Sequence, residues 1–331
     1  MKIKDITSKK EWEDFFREND ETPIHSSSAY IEYLERIGLK IKKCKSVNDS
    51  GDLNAIWYSA YDYKKLTYYV YGPYLSIQNQ RKTEISRSLL IDMIDSIKNK
   101  FINRIILNND FYGTHGIYDN CGELLKSSGF SIESKYTYLV DLDLTSQDLF
   151  SSFKRNLRKS IRQTEKNLTG YEFFEFNNCK KDAKEFYTII NQNRIRNSIT
   201  PYVFDEVYAI CYDFRMFGIR NSNGLLCVLG AYTYSDYVIE AGIGTSNYAY
   251  DNKMYVGDLL KWKMMEKFSE EGLKKFDLAG FEKEPKDEKE AGIAQYKAKW
   301  GGVEHEYKVY KSVPNAITII KKIKTRILKK L

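Results

Sequence analysis

The residues with the most evident chemical potential stand in FDLAGFEKEPKDEKEAGIAQYKAKWGG, residues 276 to 302. A strand-like apolar start ends in Gly280, a mobile, highly charged loop follows, and the chain returns as Tyr296-Lys297 before Trp300-Gly301-Gly302. A lysine ammonium is a compact charge suited to a phosphate or a developing oxyanion. A second feature is the segment 154 to 166, where Lys154, Arg155, Arg158, Lys159, Arg162 and Lys166 face Glu165 alone. Opposite them Phe150, Phe153, Leu157 and Ile161 form one apolar face, so a single helix is expected, started by a Ser or Asp cap near 141 to 146. Its basic face is either a solvated surface or a contact for nucleic-acid phosphates. Metal and thiol chemistry have no comparable pattern. Cys44, Cys121, Cys179, Cys211 and Cys227 lie far apart, His25, His115 and His305 are scattered, and no ligand spacing occurs, so no metal site is expected.

The elements that must position these residues belong to a chain of 331 residues, 42% hydrophobic and 29% charged, the balance of a globular protein. No secretory leader and no apolar run long enough for a bilayer are legible, so a cytoplasmic location is expected. The net charge of +7 is matched by the tail alone, which carries seven basic residues and no acidic one from Lys311 to Leu331. PNAITIIKKIKTRILKKL reads as a basic amphipathic helix that either lies on the inner face of an anionic membrane or packs on the body.

A repeat organises the rest. IKKCKSVNDSGDLNAIWYSAYDYKKLTYYVY (41 to 71) and RMFGIRNSNGLLCVLGAYTYSDYVIEAGI (215 to 243) both read as three-strand meanders with Asn/Asp/Ser/Gly turns. Each is followed by a helix-period segment and a short apolar strand, and each is preceded by an amphipathic helix, KKEWEDFFREN or KKDAKEFYTIINQ. Gly72 and Gly242, Leu89-Leu90 and Leu259-Leu260, and Ile106 and Phe276 all share one offset of 170 positions. The expected organisation is a first unit at 1–145, a second at 146–313 and a basic helix at 314–331. The fold class is α/β of the α+β kind, each unit a mixed, mostly antiparallel sheet flanked by helices.

Helix, meander, loop, helix and strand is an order that resembles the GNAT acyltransferase fold, in which a neutral amine attacks a thioester or ester held between splayed strands. The loop before the second unit's central helix, GIGTSNYAYDNKMYVG, has only Gly257 near the helix start, a poor match to the glycine pattern that receives the pyrophosphate of acetyl-CoA. RNLRKSIRQTEKNLTGYEF (155–173), YVGDLLKWKMMEKFSEEGLKKFDLAG (255–280) and GIAQYKAKWGG (292–302) resemble the catalytic half of the Fem family of peptidyl aminoacyltransferases and FemAB-like GNAT proteins.

The resemblance implies transfer of an aminoacyl group, favoured donor aminoacyl-tRNA, to an amine of a peptidoglycan precursor, nucleotide- or lipid-linked. It implies no tightly bound cofactor. Lys297 with Tyr296 would face the donor, and Asp110 would be the general base, with Asp277 at the equivalent point of the second repeat as either a base or a structural hydrogen-bonder. Arg194 and Arg196 in NRIRNSITPYVF would bind phosphates or carboxylates of the acceptor, and Tyr255 and Arg158 are the remaining substrate-binding candidates. The sole near match to a basic residue expected in IEYLERIG is Arg36, which weakens the case for a UDP-linked acceptor. Two other readings stand beside this one: an acyl-CoA-dependent N-acyltransferase acting on an amino sugar of capsule or lipopolysaccharide, and a non-catalytic RNA- or membrane-surface-binding protein.

Overall fold

In the computed structural model the described residues are 2–18, 24–75, 83–97, 104–108, 118, 121–208, 214–234 and 236–312. Asp110, Cys211, His115 and the tail helix expected at 314–331 lie outside them. The chain forms two compact units, one of residues 1–134 and 307–331, the other of residues 135–306.

The first unit contains β1 (Lys2–Asp5), α1 (Lys9–Glu18), α2 (Ser28–Arg36), β2 (Lys40–Val47), β3 (Leu53–Asp62), β4 (Thr67–Leu75), α3 (Thr83–Ile97), β5 (Arg104–Asn108) and α4 (Gly122–Ser127). β6 (Phe130–Asp141) then leads into the second unit. That unit contains α5 (Ser146–Ser152), α6 (Arg155–Asn167), β7 (Glu172–Glu175), α7 (Lys180–Arg196), α8 (Phe204–Val207), β8 (Arg215–Asn221), β9 (Gly224–Tyr234), β10 (Tyr237–Thr245), α9 (Asn247–Asp251), α10 (Val256–Glu270), β11 (Lys275–Phe281) and α11 (Glu288–Lys297). β12 (Val303–Ser312) carries the chain back to the first.

The 170-residue offset is visible element by element. β1 and β7 start at 2 and 172, and β4 and β10 at 67 and 237. Gly72 and Gly242 both hold positive φ, 96° and 94°. In each unit the meander is antiparallel and its last strand pairs in parallel with the strand after the helix, Thr67↔Arg104 in one and Tyr237↔Lys275 in the other. The strand that closes each sheet comes from the other repeat: β12 pairs antiparallel with β5, and β6 with β11. This exchange is why the compact units divide inside β6 and β12, whereas the sequence pattern places the boundary at 145/146, where Thr145 caps α5.

The second unit's core is set by α10, whose Val256, Leu260, Met264 and Phe268 are fully buried at successive helical turns against Phe217, Leu229 and Phe276. The helix stops at Gly272, which takes φ 84°. The expected single helix over 146–166 is two, α5 and α6, because Phe153 and Lys154 are extended. The amide of Lys154 donates to the Lys299 carbonyl at 2.9 Å, a bond that a continuous helix would forbid, and Phe153 is driven between Trp262 and Trp300.

At the outer side of this core Arg215 forks between Glu175 (2.7 Å) and Glu271 (2.5 Å) and covers the rings of Phe217 and Phe268. Its hydrogen bonds hold the Glu271 carboxyl down at about 2, against an ordinary 4.5. A depressed acid contributes stability above its ordinary value and loses it as pH falls toward about 2. Arg215→Ala is therefore expected to cost about 1–2 kcal/mol at pH 7, solvent screening of the half-exposed carboxylate included, and progressively less between pH 4.5 and 2, as read by urea unfolding at several pH values.

Candidate functional site

β10 and β11 run parallel over three residue pairs, ending at Ile239↔Asp277, and then part. Each strand carries an irregularity at that level. The β9–β10 register shifts between Glu240 and Ile243, where Gly242 takes its positive φ, and the β6–β11 register shifts between Asp277 and Gly280, where Ala279 has φ 61°. A left-handed alanine is costly, and three bonds hold it. The Ala279 amide donates to Asp277 Oδ1 at 2.7 Å, while its carbonyl accepts from Thr137 Oγ1 at 2.8 Å and from Lys297 Nζ at 2.9 Å. Thr137 has a single proton for two acceptors, Ala279 and Asp277, so Lys297 is the donor that keeps the Ala279 carbonyl satisfied.

Lys297 also donates to the Gly280 carbonyl at 2.7 Å. Burial lowers its pKa, opposed by the carboxylates of Glu240 and Asp277. Asp277 is 1% exposed; burial raises its pKa against the hydrogen bonds from Thr137, Tyr237 (2.7 Å) and Ala279. Its three hydrogen-bond donors tie Asp277 into the sheet.

Tyr296 and Lys297 lie on the last turn of a helix that begins at Glu288, inside the stretch that the sequence suggested as a charged loop. α11 begins because Asp287 caps it, accepting from the Glu290 amide at 2.8 Å, with Glu288 and Glu290 at its positive end and Lys297 at its negative one. The Asp-x-x-Glu spacing of 287 and 290 is a helix-start signal that could have located it. α11 fully buries none of its side chains; it is docked by the Lys297 bonds and by Tyr296.

Beneath Tyr296 lies a feature that was not foreseen. Lys261 of α10 is fully buried, its ammonium 2.7 Å from Glu240 and 4.6 and 5.1 Å from the ring centres of Tyr296 and Trp300. The ion pair meets away from the ideal hydrogen-bond direction, so the attraction is chiefly charge and ring quadrupole. Beside it Lys299 reaches both oxygens of Asp258, at 3.0 and 2.9 Å, and lies 4.1 Å from the Tyr296 ring. Burial, with Asp258 and Glu240 nearby, pushes the Tyr296 phenol well above its usual value, so it stays protonated. Cys227 is likewise pushed up to about 12 by burial, which makes it an inert thiol. In LLKWK and VIEAGI, Lys261 and Glu240 carry no spacing that separates them from surface charges.

The trailing turn is fixed by Gly301 at φ 73°, where a Cβ would lie 2.6 Å from the Ser152 carbonyl. A cleft of about 510 Å³ opens at the start of α10, lined by Asn156, Lys159 and Gln163 of α6 and by Asn252, Lys253 and Tyr255. Tyr255 is the N-cap residue of α10 and 69% exposed. Arg158, next to Lys159 on α6, is half-buried. Arg194 and Arg196, on the last turn of α7, hold Thr200 and Thr245 carbonyls and stack on Tyr202 and Tyr250. The structure thus brings Tyr296 and Lys297 to the parted strands and Tyr255 to the cleft, with Arg194 and Arg196 tied to other segments of the same unit.

Lys261→Met would strand Glu240 in the core. It is expected to lower unfolding free energy by about 3 kcal/mol, and the double change Lys261→Met/Glu240→Leu to recover most of that, in a denaturant double-mutant cycle.

No family model and no curated protein sequence matches the chain. Solved structures do. FemX superposes with a TM-score of 0.69 at 13% identity, covering 97% of this chain and 99% of FemX. L-PGS from Bacillus licheniformis gives 0.59 at 13% identity, covering 98% and 97%. A tandem GNAT protein from the clavulanic acid biosynthesis pathway gives 0.56 at 11% identity, covering 94% and 98%. At these identities the likeness is one of fold: two tandem GNAT-like units, as the sequence pattern implied.

Proposed function

We propose that this chain is an N-acyltransferase whose second unit takes the activated carbonyl of its donor between the parted strands β10 and β11. The observation that carries the reading is Lys297, an ammonium fixed on the Ala279 and Gly280 carbonyls at the level where the strands separate. The amine nitrogen attacks the carbonyl carbon, the C–N bond forms, and the bond from carbon to the donor's leaving oxygen or sulfur breaks. Lys297 would stabilise the oxyanion, and the burial that lowers its pKa makes it a readier hydrogen-bond donor. The Glu240 carboxylate, paired with Lys261, would take the proton shed by the amine.

Aminoacyl-tRNA is the favoured donor. α6 begins with Lys154 at its cap and Arg155, Arg158 and Lys159 in its first turns, positive charges at the positive end of a helix, where they destabilise it unless an anion binds. Among the described residues no carboxylate pairs with any of them, and Lys159 lines the cleft at the start of α10. The favoured acceptor is an amine of a peptidoglycan precursor in the cytoplasm. A first-unit cleft of about 540 Å³, walled by Tyr30, Tyr33, Tyr63, Tyr69 and Lys65, has the aromatic faces that suit sugar rings. FemX, with the highest of the three TM-scores, supports the tandem GNAT-like fold on which the acyltransferase reading is built.

A second reading keeps the chemistry and exchanges the donor for acyl-CoA. The same cleft opens on the free amides at the N-terminus of α10, which suit a pyrophosphate as well as an RNA phosphate.

The test is transfer of radiolabel to envelope precursors from labelled aminoacyl-tRNA and, separately, from labelled acetyl-CoA. Transfer from the former is expected, with Lys297→Met lowering kcat about 100-fold or more and Lys297→Arg restoring part of it. Transfer from acetyl-CoA alone would replace the donor, unchanged activity in Lys297→Met would remove that residue's role, and no transfer from either would favour a binding protein.

A further inference from the structure

Among the described residues, seven of the ten large exposed apolar or aromatic side chains of the second unit fall in two short segments, 195–203 and 248–255. Ile195 is 61% exposed, Val203 57%, Tyr250 60% and Tyr255 69%. The segments are tied at the C-terminal end of α7. Arg196 bonds to the Thr245 carbonyl at 2.5 Å and to Asn247, the Asn247 amide donates to Gln192 at 2.8 Å, and Asn191 and Tyr202 exchange two bonds of 3.0 and 2.8 Å. Arg196 stacks on Tyr250 at 4.6 Å and Arg194 on Tyr202 at 3.9 Å.

Arginines in the last turn of a helix answer its negative end, which accounts for their carbonyl partners. It does not account for the two rings left open to solvent. Nor is either guanidinium paired with a carboxylate among the described residues, so both keep their charge uncompensated while held flat in a fixed orientation. From Tyr250 the chain continues through Lys253 to Tyr255, which line the cleft with Lys159 of the basic helix.

We infer that this surface binds unpaired nucleotides of RNA, bases stacking on the Tyr250–Arg196 and Tyr202–Arg194 pairs and the backbone running toward Lys253, Tyr255 and Lys159. Flat aromatic faces take any base, stacked guanidinium planes extend them, and uncompensated cations draw the phosphates. A peptide partner would use the tyrosines without needing the charge; the cationic helix beside the cleft favours the polyanion. The inference rests on the aminoacyl-tRNA reading and makes the unpaired end of that donor the segment recognised. It also moves Arg194 and Arg196 from the acceptor to the donor.

The experiment is fluorescence anisotropy of the full chain with an end-labelled single-stranded RNA nonamer, with the duplex of the same sequence, and with anionic phosphatidylglycerol vesicles as a rival. The single strand should bind more tightly than the duplex. Tyr250→Ala and Tyr202→Ala should each weaken it about tenfold without changing the salt slope, Tyr250→Phe should restore affinity, and Arg196→Gln should weaken it while reducing the slope by roughly 0.7. Thermal melts monitored by circular dichroism check that each variant is folded. If RNA binds, Lys159→Ala weakens it and the tyrosine changes do nothing, the surface is refuted while the donor reading stands. Equal affinity for single strand and duplex would refute stacking. If only vesicles or acetyl-CoA bind, the donor reading fails and the inference fails with it.

Discussion

Two parallel strands that stop pairing after three residue pairs are the constraint on which the second unit depends. Separation exposes main-chain groups inside a sheet, and each must find a partner or be left for a ligand. On β11 the answer is Ala279, forced to a positive φ and bonded through Asp277, Thr137 and Lys297. On β10 it is the turn at Gly242, which sets Glu240 over the buried ammonium of Lys261. Everything that carries Lys297 follows from keeping it there. α11 docks by its last turn, Trp300 seats behind it against Phe153, and Lys299 ties the segment to Lys154, at the cost of breaking what would have been one helix.

The ion pair under this seat is unusual in composition. A buried lysine facing a nearly buried glutamate costs desolvation on both sides, and an apolar pair would serve the core nearly as well. Its ammonium lies between the rings of Tyr296 and Trp300, and in the proposed reaction the pair would supply a fixed carboxylate. The basic face of α6 obeys the same logic. Charges placed against a helix dipole weaken the helix alone and strengthen it with an anion in place.

Much of the fold was legible because a repeat doubles every signal. The offset between Gly72 and Gly242 carried the meanders, the central helices and the parallel strands together, and the apolar stripe of α10 needed only its own periodicity. What periodicity could not show was the exchange of β6 and β12, since a strand's pairing partner leaves no trace in its own alternation. The break at Phe153-Lys154 was hidden for a related reason: its cause is a carbonyl at Lys299, far along the chain. Within the site, Tyr296-Lys297 stood out through the change from charged run to aromatic-lysine pair, and the structure sets the pair at the strand gap. Glu240 and Lys261 did not stand out, because one charged letter in an apolar run does not say whether its side chain turns outward or pairs inside.

In the proposed reaction the donor's carbonyl enters between β10 and β11. Hydrogen–deuterium exchange of the chain with and without a non-hydrolysable aminoacyl-tRNA analogue tests it directly. Donor-dependent protection is expected in peptides covering 240–245 and 277–281, together with altered exchange across 288–302. Donor binding that leaves those peptides unchanged, with protection confined to other parts of the chain, would contradict it.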